Sequence, residues 1–538
     1  MSLSRRSIGL AATFSLLASA SFAANPLIVK TDDGKVQGVM ASTATDIRAF
    51  KGIPYAAPPV GDLRWKEPQP AAKWKGVKQT TDFGSRCFQT SAFADMIYHD
   101  PGDSEDCLTL NVWTPANAKP GKLPVMVWIY GGGYTGGTTS EARQNGEYLA
   151  KRGVIVVSMN YRLGIFGFYA HPELTAESPH KASGNYGLMD QNAALQWVHR
   201  NIAAFGGDPA NVTVFGESAG SFSVSAQMAS PLSKGLIQKA IGESGGAFSS
   251  NSLGFDSLEA TQARDAKFAE AALGTSDLAK LRKLTAAELS KAATAKEPRA
   301  PRFGPDVDGY FLPDSVPNIY AAGKQAHIPM LAGWNAGEMQ AMVVMPAKKT
   351  TAESFKAQAQ KDYGDNAEKF LALFPANTDD QAVQSAIDLA GDRFIAHSTW
   401  LWLEAQVKTG QAPVYRYLFA LGSPGDKFHS AAIGAFHSDD IEYVFGTLDS
   451  RPEAVWRPED RKLSDQMGQY WTNFAKTGNP NGTGLPDWPT YAPEKFMYMK
   501  LDSMSDATAD TYRERHLFET AVAPKPQSSA ENTSERSR

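Results

Sequence analysis

Two short stretches of this chain, FGESAG at Phe215–Gly220 and IGESGG at Ile241–Gly246, satisfy the pattern G-x-S-x-G. A serine in that setting can act as an acyl-transfer nucleophile when it sits on a tight turn between a strand and a helix. Small neighbours make the turn possible, and the helix N-terminus favours the negative charge that develops. Ser218 follows the apolar run VTVF and precedes AGSFSVSAQMAS, a buried-helix pattern. Ser244 also follows an apolar run, but GGAFSSNS after it is turn chemistry. Ser218 is therefore the expected nucleophile, and Ser244 is expected to be a strand-end serine bonded to its own backbone.

A third glycine motif, Gly131-Gly132-Gly133-Tyr134-Thr135-Gly136, follows another apolar run and matches G-x-G-x-x-G. A dinucleotide site would want an acid at the end of the next strand to hold a ribose. That strand ends Met159-Asn160-Tyr161-Arg162, without one. The alternative is an oxyanion loop, in which glycines leave backbone N–H groups open to a substrate carbonyl.

These motifs need a scaffold of strands. Leu123–Tyr130, Val154–Asn160, Val212–Phe215, Gln238–Ser244, Ile328–Trp334 and Val414–Ala420 are short apolar runs alternating with helical stretches. Such runs predict an α/β fold with a mostly parallel central sheet, covered by helices on both faces. A helix is expected from Asp190, with Leu195, Val198 and Ile202 at helical spacing. The Ala/Leu/Lys-rich region from Leu258 to Ala295 reads as added helices suited to a cap or lid near the site.

The 538 residues are 42% hydrophobic and 20% charged, a soluble globular balance. No internal linker divides them, so residues 24–522 are expected to form one large catalytic domain. Residues 1–23 read as a removable signal peptide: Arg5 and Arg6, a short apolar run, then Ser21-Phe22-Ala23. The SRRSIGL segment fits either a general secretory or a twin-arginine leader. The polar tail 523–538 reads as disordered. The expected setting is outside the cytoplasm, periplasmic or secreted. There the only two cysteines, Cys87 and Cys107, are expected to pair. The formal charge of −4 gives no reason to expect nucleic acid. The apolar leader is too short for a membrane span, and no Cys/His spacing indicates a zinc site. A monomer or weak homo-oligomer is expected.

The chain resembles the type-B carboxylesterase family of the α/β-hydrolase fold, which includes cholinesterases. The resemblance rests on FKGIPYAAPPVGDLRW (Phe50–Trp65), SEDCLTLNVW (Ser104–Trp113), YGGGYTGG (Tyr130–Gly137), NYRLGIFGF (Asn160–Phe168), GNYGLMDQNAALQWV (Gly184–Val198) and FGGDPANVTVFGESAG (Phe205–Gly220). It implies Ser218 as nucleophile, an oxyanion hole from the N–H groups of Gly132, Gly133 and Ala219, and a Cys87–Cys107 disulfide loop. Five histidines follow Ser218. His437 lies in GAFHSDDIEYVFG, which resembles the family's histidine segment, and His429 is its nearest competitor. Glu338 keeps the position of the family's acid, although Gly337 and Met339 replace the Asp and Gly on either side. Ser438 replaces a glycine, and Asp440 a glutamate.

The implied activity is hydrolysis of carboxylic esters through a Ser-His-Glu triad and an acyl-enzyme, with no cofactor and no metal. Amide, thioester or lactone hydrolysis by the same triad, and a non-catalytic cholinesterase-like binding protein, are the alternatives. Tyr134, Trp334, Phe248, Met339 and Met342 are candidates for the substrate pocket or, equally, for core packing.

Overall fold

The computed structural model describes residues 27–89, 93–248, 253–345, 349–431 and 434–522. The expected leader, 1–23, and tail, 523–538, lie outside the described residues.

Eleven strands form the central sheet: β1 (Val39–Met40), β2 (Ile47–Pro54), β3 (Thr109–Pro115), β4 (Leu123–Ile129), β5 (Ile155–Met159), β6 (Gly207–Glu217), β7 (Lys239–Glu243), β8 (Met330–Asn335), β9 (Val414–Phe419), β10 (Met497–Leu501) and β11 (Asp506–Ala509). Their spatial order is β11-β10-β9-β8-β7-β6-β4-β5-β3-β2-β1. From β5 through β10 every neighbouring pair is parallel, and antiparallel strands finish both edges. All six strands read from sequence belong to this sheet. Val125–Ile129 and Ile155–Met159 are wholly buried, which explains why their apolar runs do not alternate.

Side chains alternate across the sheet, so neighbouring positions on β7 report on its two faces. A Cβ at Gly242 would collide with Trp402 and approach Ser221, whereas Glu243 accepts from Nε1 of Trp471. Helices α2 (Ala219–Ala229) and α6 (His397–Thr409) thus cover one face, and α8 (Pro458–Thr477) the other.

Helix α1 (Tyr186–Asn201) begins four positions before the expected start at Asp190. Its first turn carries no apolar stripe to read, because Tyr186 to Met189 are buried on all sides. The 258–295 region is helical as expected, with helices at Leu258–Leu273, Leu278–Leu281 and Ala286–Ala293. Its hydrogen bonds outward include those with Ala170, Thr175, Arg64 and Glu177. Among the described residues, the helical insertion that meets the site is a different one. Helices α3 (Ala352–Tyr363), α4 (Ala367–Leu373) and α5 (Asp379–Gly391) pack a small second core around Phe355, Phe370 and Leu389. Phe518 of helix α9 (Arg513–Ala521) belongs to the same core.

Candidate active site

Strand β6 ends at Glu217 and helix α2 begins at Ala219, so Ser218 alone makes the turn. Its φ of 55° lies in the left-handed region, sparsely populated for residues with a side chain. The flanking glycines are required by close approach. A Cβ on Gly220 would lie 2.0 Å from the Ile129 carbonyl oxygen, and one on Gly216 would lie 2.6 Å from it. The Ser218 N–H donates to the Glu243 carbonyl at 2.8 Å, tying the turn to β7.

The hydroxyl of Ser218 lies 3.0 Å from Nε2 of His437, and Nδ1 of that ring lies 2.6 Å from Oε2 of Glu338. The three residues come from the ends of β6 and β8 and from the loop before helix α7 (Asp440–Phe445). Phe394, in the turn Asp392–Ala396, meets the imidazole edge-on at 5.0 Å. Gly391 abuts Glu338, since a Cβ there would lie 3.3 Å from the glutamate's own Cβ.

The electrostatics favour an imidazolium. Burial alone would lower the His437 pKa, but Glu217 and Glu338 outweigh it and hold the group up at about 9. Glu217 Oε1 lies 3.3 Å from Nε2 of His437. Burial raises the Glu217 carboxyl to about 8 against the pull of His437. Asp440 is raised by burial and by Glu338 to about 6, and accepts from Tyr417 Oη and Asn335 Nδ2.

Ser244 corrects its expected role. The chain is in the left-handed region here too, with φ of 53°, and the hydroxyl does not turn back on its own backbone. It donates to Oε1 of Glu338 at 2.5 Å. The Asn335 N–H donates to the same oxygen at 2.7 Å. The two serine turns are neighbours because β6 and β7 run parallel with Glu217 opposite Glu243.

The glycine loop after β4 folds tightly on itself. Gly132 (φ 90°) and Gly133 (φ 64°) both occupy the left-handed region, and the Gly132 carbonyl accepts from the N–H groups of Thr135 and Gly136. A Cβ on Gly131 would lie 2.9 Å from Cβ of Ser218, so the loop passes directly over the serine. Among the described residues, the N–H groups of Gly132, Gly133 and Ala219 donate to no protein group.

Other predicted residues serve as struts. Asn160 accepts from Thr139 and donates to the Ser85 carbonyl, which explains its place at a strand end where a nucleotide site would need an acid. Arg64 grips Glu105 with two bonds of 2.7 Å, joining two of the family-like motifs, and Arg162 grips Asp190 in the same way. Cys87 and Cys107 form a disulfide. His429 stacks on Phe436 at 3.8 Å, outside the Ser218–His437–Glu338 relay.

Of the five pocket candidates, Tyr134 is buried beneath the glycine loop and accepts from Ser223. Trp334 is packed against Arg416 and His516, Phe248 against Tyr320, and Met339 against the second core. Met342 is 72% exposed. Among the described residues, none of the five forms a hydrogen bond, ion pair or ring contact with Ser218, His437 or Glu338. Phe394 and Glu217 do, and neither stands out for such a role on sequence alone. An acid ending the apolar run VTVFGE was the available signal for Glu217; Phe394 had none.

The departures from the family pattern have physical outlets. Ser438 occupies φ of 70°, which explains the family's glycine, and its hydroxyl accepts from Arg143 at 3.3 Å. Gly337 donates to the Ala435 carbonyl, fastening the acid's turn to the histidine loop.

Comparison with known proteins agrees with this architecture. The carboxylesterase family model matches residues 25–518. The chain is 37% identical over 509 residues to fumonisin B1 esterase of Sphingopyxis macrogoltabida, covering 91% of this chain and 90% of that one. It is 38% identical over 490 residues to para-nitrobenzyl esterase of Bacillus subtilis (strain 168), covering 88% and 95%. A solved structure of PNB esterase superposes with a TM-score of 0.75 at 36% identity, covering 92% of this chain and 99% of that one. The chain belongs to the carboxylesterase family, serine-dependent carboxylic ester hydrolases of the α/β-hydrolase fold.

Proposed function

We propose that Ser218, His437 and Glu338 are the catalytic triad of this esterase and that Gly132, Gly133 and Ala219 supply its oxyanion hole. The observation that carries the reading is the unbroken relay of 3.0 Å and 2.6 Å from the serine hydroxyl through one imidazole to one carboxylate. In its neutral form His437 takes the Ser218 proton at Nε2 as Oγ attacks the ester carbonyl. Glu338, accepting from Nδ1–H, fixes the tautomer and stabilises the cation. The oxyanion meets the unpartnered N–H groups of the glycine loop and of the α2 N-terminus; losing one such donor typically costs roughly 3 kcal/mol. His437 then protonates the leaving alcohol, and water repeats the sequence on the acyl-enzyme.

The substrate is a neutral carboxylic ester. Aromatic side chains border the reacting groups, with Phe394 on the imidazole and Phe222 near the serine turn. The protein acts outside the cytoplasm, a setting supported by its disulfide. No helix of the described residues is long and apolar enough to cross a membrane.

An organophosphonate probe followed by peptide mapping tests the triad. The adduct is expected on Ser218, and an adduct on the Ser244 peptide would overturn the reading. Hydrolysis rates over esters of varied acyl length and alcohol bulk define the substrate.

A further inference from the structure

Away from the triad, His397 at the start of α6 faces His516 and Glu519 on α9. One ligand atom from each of the three residues lies within 4.8 Å of the others. Oε2 of Glu519 stands 3.8 Å from Nδ1 of His397 and 3.8 Å from Nδ1 of His516. His516 is completely buried, yet neither of its ring nitrogens has a hydrogen-bond partner. Nδ1 of His397 and Oε2 of Glu519 are also buried without one. Four buried polar atoms without partners, three of them from three residues within reach of one another, are an unusual cost, because each gave up water on folding and gained no bond.

We propose that His397, His516 and Glu519 form a binding site for a divalent transition ion of the zinc class, clamping helix α9 to the start of α6. Two imidazoles and one carboxylate are a donor set such ions favour. In a tetrahedral site with bonds of about 2.0–2.1 Å, ligand atoms stand ~3.3 Å apart. The two separations from the carboxylate, 3.8 Å each, therefore need only a small contraction, while the two imidazoles, within 4.8 Å of each other, close by a rotation of one side chain. The nitrogens are free to coordinate. Thr520 Oγ1 donates to the His516 carbonyl at 2.8 Å, so towards Nε2 of His397, 3.5 Å away, it can only accept. That contact holds the His397 proton on Nε2 and leaves the lone pair of Nδ1 facing the cluster, the usual arrangement behind a metal-bound histidine.

The surroundings fit as well. Burial keeps both rings neutral, pushing His397 down to about 4 and His516 well below its ordinary range, and it pushes the Glu519 carboxyl well above its own, so that ion binding releases a proton from the carboxyl. Trp400 stacks on His516 at 5.3 Å and Trp334 meets it edge-on at 5.5 Å, giving the site an apolar wall. Arg515 would oppose a cation, but Asp392 and Asp388 hold it in ion pairs. Arg393 also acts on Glu519, and its side chain is bonded to the Tyr363 hydroxyl. The sequence offered no spacing to signal this site, since more than a hundred positions separate His397 from its partners.

The test uses the full-length chain without a histidine tag, stripped with a chelator and titrated with zinc against a chromophoric competitor. One equivalent per chain is expected, with a rise in thermal midpoint. Cobalt(II) in place of zinc should give the visible bands of a low-symmetry site. His397→Gln and Glu519→Gln, both at partly exposed positions, should each lower zinc affinity more than the about 10–100-fold cost of losing a supporting second-sphere partner. They should also abolish the cobalt bands. Failure of the wild-type chain to retain an equivalent at micromolar zinc would overturn the proposal. So would stoichiometric binding that both variants leave unchanged.

Discussion

The Ser244 hydroxyl donates to Oε1 of Glu338 at 2.5 Å, while His437 holds the other oxygen of the same carboxylate. The two G-x-S-x-G turns thus meet at one site, with Ser218 at its proposed reacting end and Ser244 behind Glu338. Ser244→Ala should leave organophosphonate labelling on Ser218. It should lower kcat by up to about 10- to 100-fold, the equivalent of the ~1.5–3 kcal/mol carried by a hydrogen bond to a charged group. Steady-state kinetics check this; loss of labelling in a folded variant would contradict it.

In the proposed mechanism Glu217 sets the pH at which His437 becomes available as a base. A negative charge 3.3 Å from Nε2 stabilises imidazolium and so raises the His437 pKa. The reaction needs neutral imidazole. The acid limb of kcat/KM should therefore lie above the ordinary histidine value, with activity rising as pH rises through it. Glu217→Gln removes the charge and keeps the shape, so the limb should move to lower pH. A pH–rate profile decides the matter, and an unmoved or rising limb would exclude Glu217 as its cause.

Much of this site was legible in the sequence because it is written in short-range chemistry. Gly216 and Gly220 are dictated by the Ile129 carbonyl, and the apolar strands by burial on both faces. What escaped depended on register between distant segments. Ser244 reaches Glu338 only because β7 and β8 run parallel, with Glu243 opposite Gly333. Phe394 reaches His437 from an insertion whose own pattern speaks only of its local core. The start of α1 is not legible because its first turn, buried all round, has no polar face to give it a period.

Choline esters should be poor substrates. Cholinesterases hold the quaternary ammonium on a tryptophan in the loop closed by this disulfide, through a cation–π contact. Between Cys87 and Cys107 the chain has Phe88, Phe93 and Tyr98 but no tryptophan. Phe88 is packed against Phe166 at 5.4 Å and Tyr98 carries Arg86 on its ring, so one face is already occupied by a cation. Comparing a choline ester with a neutral ester of the same acid tests this; faster turnover of the choline ester would refute it.

Glu338→Gln should be nearly as damaging as loss of the acid. The glutamate oxygen facing Ser244 and Asn335 accepts from both, so a glutamine would keep its carbonyl there and turn its NH2 towards His437. Nδ1 would then have to accept, leaving the ring proton on Nε2 against the Ser218 hydroxyl. That is the tautomer unable to take the serine proton. By analogy with the serine protease aspartate, kcat should fall by roughly 10³–10⁴-fold. Asp440→Asn is the sharper control, since Asp440 is already held towards its neutral form, and an asparagine can keep its carbonyl on Asn335 Nδ2 while donating its NH2 to the Tyr417 oxygen. It should cost far less. Asp439→Asn weakens the buried pair with Arg451 that anchors the histidine loop, so its effect should appear in thermal stability before kcat. Near wild-type activity in Glu338→Gln, together with collapse in Asp440→Asn, would move the acid's role to Asp440, because loss of a true triad member is not that mild.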